Sequence, residues 1–74
     1  MTAQQRFALR GDHITLDALL KATGVAGSGG EAKAMIATGR VRVNGEAEAR
    51  RGRKLRSGDR VQLDALDVSL YADD

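Results

Sequence analysis

The apolar positions of this 74-residue chain change period along its length. Leu16, Leu19 and Leu20 stand at i, i+3 and i+4, which puts them on one face of a helix. Ala32, Met35 and Ile36 repeat that spacing. Beyond them the period drops to two: Val41 and Val43 alternate with Arg40 and Arg42, and Val61 and Leu63 alternate with Arg60 and Gln62. That alternation is the mark of strands with one buried face. The pattern predicts two short packed helices followed by a small antiparallel or mixed sheet, an α+β fold.

The punctuation between these runs agrees. Thr15 is placed to N-cap the first helix, Asp17 suits its positive first turn, and Gly24 stands where a C′ residue ends it. Ser28 and Glu31 have capping-box spacing at the start of the second helix, and Gly39 closes it. Neither helix is long enough to persist alone in water, so each must lean on the sheet. "RFALR" at 6–10 reads as a short first strand or an extended lead-in, broken by "GDH". Asn44-Gly45 signals a hairpin, because both residues accept positive φ. Its second arm, "EAEA" at 46–49, has poor β propensity, and the pattern leaves its register open. Arg50 to Lys54 reads as a loop anchored by Leu55, "RSGDR" as a turn, and "DVSLY" as a last strand through Val68 and Leu70. The expected order is β-α-α-β-β-β in a single domain over residues 1–74. The expected core is Leu16, Leu19, Leu20, Met35, Ile36, Val41, Val43, Leu55, Val61 and Leu63.

Composition narrows the chemistry. There is no cysteine, and no His/Asp/Glu cluster has metal-ligand spacing, so no metal or cofactor is expected. His13 is the one histidine, beside Asp12 in a turn, and no serine has an activating partner. No catalytic residue, enzymatic activity or small-molecule substrate is expected. No run approaches the ~18 apolar residues of a membrane helix, which points to a cytoplasmic protein without membrane contact. Phe7 and Tyr71 are the only aromatics, too few for a platform on which bases stack.

Charge is unevenly placed. The net charge is +2, from 12 basic and 10 acidic residues. "RRGRKLRSGDR", residues 50–60, holds six bases and one acid and so carries +5, leaving −3 on the rest. Most of those bases are arginine, whose planar fork suits phosphate. They follow Arg40 and Arg42 in sequence, and Lys33 shares a helix flank with the small Ala37. The expected nucleic-acid site is therefore Lys33, Arg40, Arg42, Arg50, Arg51, Arg53 and Lys54, acting on backbone phosphates. A secondary phosphate contact is expected at Ser28, Gly29 and Gly30, where the second helix begins, although Glu31 opposes it by charge.

Four other readings compete. "GVAGSGGEAK" is not a nucleotide loop, because Gly29 is followed by Gly30 and Glu31 and not by Lys-Ser/Thr. A helix-turn-helix DNA reader needs base-reading side chains on its second helix, and Ala34 and Ala37 cannot supply them. A ribosome-associated adaptor that meets an acidic protein through the basic loop remains open, as does a merely solvated charge run.

The ordered set Leu16-Asp17, Ser28, Ala32 through Ile36 to Gly39, Val41 through Gly45, and Gly58-Asp59 resembles the S4-like RNA-binding domain, or αL motif. The likeness covers about residues 14–61, the motif core. "SGGEAK" and "RRGRKLRSGD" are most similar to the small stand-alone bacterial members, the YbcJ-like group, in which the domain is nearly the whole protein. The resemblance implies binding to structured RNA, often ribosomal or transfer RNA, without catalysis. Many wider family members carry arginine straight after the serine and use it toward RNA. Gly29 stands there in this chain, which shifts the expected contacts to Lys33, Arg40, Arg42 and the Arg50–Lys54 cluster.

Overall fold

The computed structural model describes residues 3–72. In chain order the elements are β1 (Ala3–Leu9), β2 (Ile14–Thr15), α1 (Leu16–Ala22), α2 (Gly29–Ala37), β3 (Arg42–Val43), β4 (Glu46–Ala47), β5 (Lys54–Leu55), β6 (Arg60–Leu63) and β7 (Leu66–Ala72). Among the described residues, five strands form one mixed sheet in the order β1-β7-β6-β3-β4, and β2 pairs with β5 in a small second sheet. The fold is α+β, as the periodicity predicts. No helix among the described residues is long and apolar enough to cross a membrane.

The two helix ends follow the glycines. Gly24 and Gly39 take φ of 82° and 81°, which terminates each helix at a left-handed residue. At the start of α2, Ser28 Oγ accepts a hydrogen bond from the Glu31 N–H at 3.1 Å. At the start of α1 the expected side-chain cap is replaced. The Thr15 hydroxyl donates to Asp17 Oδ1 at 2.6 Å instead of accepting from the helix. Two backbone bonds cap α1 from outside, as Leu16 N–H donates to the Arg53 carbonyl at 2.9 Å and Asp17 N–H to the Arg51 carbonyl at 3.0 Å. They satisfy donors that every helix start leaves open.

The sheet carries the core on one face. Val43 opposes Val61 across β3–β6, and Val61 opposes Val68 across β6–β7. These residues join Leu16, Leu19, Leu20, Ala32 and Ile36 of the helices in one buried cluster, with Leu55 and Val41 fully enclosed. Nine of the ten expected core positions are buried. Met35 is only half-buried, packed against the cluster's edge. The cluster also takes in Leu9, Ala26, Leu66, Val68 and Leu70.

Two pairings were beyond the sequence pattern. β1 runs parallel to β7 from Ala3↔Leu66 to Leu9↔Ala72, so the sheet begins before the helices and not only after them. Lys54 and Leu55 pair with Thr15 and Ile14, so Lys54 belongs to a strand and closes the basic loop against the entry of α1. The Asn44-Gly45 hairpin forms as expected, with φ of 53° and 86°. Its register is Arg42↔Ala47 and Val43↔Glu46, and Glu48 N–H extends the pairing to the Val41 carbonyl at 2.9 Å.

Candidate nucleic-acid interface

The basic run is built around an acid. Glu48 is 7% exposed although it lies at the mouth of a loop. Arg50 donates to it three times, from its N–H and Nε to Oε2, both at 3.2 Å, and from Nη2 to Oε1 at 3.3 Å. Arg53 Nη1 adds a fourth bond to Oε1 at 2.8 Å. The Arg50 hydrogen bond, then that of Arg53, holds the Glu48 carboxyl down at about 2 against the opposing effect of burial. Two arginines around one carboxylate is the arrangement a buried charge needs to stay ionised.

The loop's backbone is fixed too. Arg53 N–H closes a turn onto the Arg50 carbonyl at 3.2 Å, and the carbonyls of Arg51 and Arg53 are the outside caps of α1. Hence residues 50–54 form a braced turn between β4 and β5, with an open hollow lined by Arg50, Gly52, Arg53 and Lys54. Arg51 lies close enough to Asp17 to help lower its carboxyl pKa, after the larger effect of the Thr15 hydroxyl.

The seven expected contact residues do not share one environment. Arg50 and Arg53 bind Glu48. Arg40 reaches Asp64 at 3.5 Å in an exposed pair, which is worth little in water. Lys33, Arg42, Arg51 and Lys54 are exposed and form no ion pair with any described residue. Arg42 stands on the sheet face away from the core, because its neighbours Val41 and Val43 are buried and it opposes the half-buried Gln62. Ser28, Gly29 and Gly30 are all exposed at the start of α2.

Two further bases of the run are also committed. Arg56 Nη1 meets Asp12 Oδ1 at 3.1 Å, and Arg60 clasps Asp67 with Nε on Oδ1 at 2.7 Å and Nη2 on Oδ2. Asp12, Glu48 and Asp67 lie outside the run, so their three charges reduce its +5 to +2. Arg51 and Lys54 are the two bases of the run that form no ion pair with a described residue. Sequence reasoning missed Glu48. Its signal was available: an acid two and five residues before arginines, next to a hairpin whose register pattern alone left open.

Among the described residues no group of three His, Cys, Asp or Glu side chains could hold a metal ion. The arrangement offers exposed cations on a hydrogen-bonded turn, which suits contact with a polyanion.

Comparison with known proteins bears on the family of the chain. The family model described as "S4 domain" matches residues 7–70. A probable ribosome maturation protein, RlbA of Bacillus subtilis (strain 168), is 47% identical over 53 residues, covering 72% of this chain and 75% of the relative.

Proposed function

The chain belongs to the S4 domain family, and on that premise we propose that it binds structured RNA through backbone phosphates, without catalysis, in ribosome maturation. The Bacillus subtilis relative is named as a probable ribosome maturation protein, and an identity of 47% over 53 residues supports carrying that role to this chain. Ribosomal RNA is the partner this reading favours over transfer RNA.

One observation carries the reading. The Arg50–Lys54 turn is braced at both ends by α1 and Glu48, yet it leaves the Arg51 and Lys54 side chains outward and unpaired. A turn already fixed by hydrogen bonds needs no further backbone ordering to meet phosphate, and cations without an acid partner break no ion pair to do so. Lys33 and Arg42 extend the same chemistry to the α2 flank and to the outer sheet face, while Arg40 contributes once its exposed pair with Asp64 opens. The scarcity of aromatics and the alanines of α2 favour shape and phosphate over base reading.

The test is crosslinking in cells followed by sequencing of the bound RNA. The comparison is a variant in which Arg51, Lys54 and Lys33 are reversed to Glu. The reading predicts ribosomal RNA enriched with the wild type and lost with the variant. Retained protein partners after nuclease treatment, with no RNA enrichment, would favour an adaptor instead.

A further inference from the structure

We infer that the Arg50–Lys54 turn is a pre-assembled seat for one RNA backbone phosphate, with the acidic Glu48 as its positioning residue and Gly52 as its open floor. The inference rests on the RNA-binding reading above and goes further, since it makes an acid necessary for holding an anion.

The geometry gives the seat three cations around one hollow: Arg50, Arg53 and Lys54, with Gly52 between them. Left alone, two neighbouring guanidinium groups would repel and spread into solvent. Glu48 prevents that. It takes Nε and Nη2 of Arg50 and Nη1 of Arg53 into four hydrogen bonds counting the Arg50 N–H. A guanidinium has five N–H donors, so each arginine keeps others to offer. Glu48, at 7% exposure, is not among the residues that line the hollow. The three cations less the one carboxylate leave +2 at the seat, enough for a phosphate monoester or diester oxygen pair.

Gly52 supplies an independent observation. Five of the chain's glycines have positive φ, namely Gly11, Gly24, Gly39, Gly45 and Gly58, and Gly52 is not among them. A Cβ built on Gly52 meets nothing within 4 Å. The fold therefore has neither a conformational nor a steric need for glycine at this position. A bare backbone there lets a ligand come close to the turn.

Two variants separate this seat from a plain charge count. Binding is read by fluorescence anisotropy with a labelled RNA stem-loop over a salt series, each variant first checked by circular dichroism and thermal melting. Removing a negative charge should strengthen binding to RNA if charge alone matters. The seat predicts that Glu48→Gln weakens it about tenfold despite the added positive charge, through loss of charge-assisted bonds that hold the arginines in place. The slope of log K against log salt should shrink by about 0.7–0.9, one phosphate contact. Gly52→Val should weaken binding by a similar factor without lowering the melting temperature, which keeps the inference testable if Glu48→Gln fails to fold. Inorganic phosphate replacing chloride at constant ionic strength should compete with the RNA for the seat in the wild type and much less in Glu48→Gln.

Tighter binding by Glu48→Gln, or wild-type affinity in Gly52→Val, would overturn the seat while leaving RNA binding intact. Equal competition by inorganic phosphate in the wild type and in Glu48→Gln at matched ionic strength would also overturn the seat. No binding by the wild type would overturn the RNA reading itself, and the seat with it.

Discussion

Asn44 does two jobs at once. Its backbone takes the left-handed conformation that the hairpin turn needs. Its side chain ties that turn to the next one, with Oδ1 accepting from Arg60 N–H at 3.0 Å and Nδ2 donating to Asp59 Oδ1 at 3.0 Å. Asn44→Ala should lose both, at about 1–2 kcal/mol of stability by urea unfolding. Leu20 is fully buried, and Leu20→Ala should cost about 2–5 kcal/mol in the same assay, a large share of what a chain this size possesses. Glu48 gives a pH signature. Its carboxyl titrates at about 2 when folded, below the ordinary value of 4.5. Its ion pairs therefore stabilise the fold fully above about pH 4.5, and that contribution disappears as pH falls toward 2. Thermal melts should show Glu48→Gln less stable than wild type at neutral pH, with the gap narrowing at about pH 3. An equal gap at both would contradict the role given to this carboxylate.

At the scale of elements, what could be read depended on how local its cause was. Both helices were legible because apolar residues at i, i+3, i+4 and the glycines that end each helix act within a few positions. The hairpin was legible because Asn44-Gly45 dictates its own turn. The parallel pairing of β1 with β7 was not, since it joins Ala3–Leu9 to Leu66–Ala72 and no local pattern reports a partner so far along the chain. β5 was hidden for the same reason: its two residues are a strand only because Ile14 and Thr15 lie beside them. The residues of the candidate site were legible by type, as a run of arginines. Their division into paired and unpaired was not, because Asp12 and Asp67 reach Arg56 and Arg60 only through the fold. The start of α2 offers a test at this scale. Gly29 and Gly30 have no positive φ, and a Cβ on Gly29 meets nothing within 4 Å. Gly29→Ala should raise stability by about 0.4–1 kcal/mol by reducing the freedom of the unfolded chain. A lower melting temperature would contradict that view of the helix start.

The whole molecule has a covered face and an open one. The helices and the apolar strand positions fill one side of the five-stranded sheet. The register sets Gln4, Asp67, Gln62 and Arg42 in one row across the other side, with Arg6, Ser69 and Arg60 in the next. Arg6 sits over the Tyr71 ring at 4.5 Å. On the proposed reading this surface meets RNA by charge and shape, so its affinity should respond to salt. The most direct measurement is the equilibrium constant for a folded RNA across a salt series. Four to six phosphate contacts predict that log K falls linearly with log salt at a slope of about −3 to −5. A slope near zero, or binding to folded RNA no stronger than to a neutral polymer at low salt, would contradict the account.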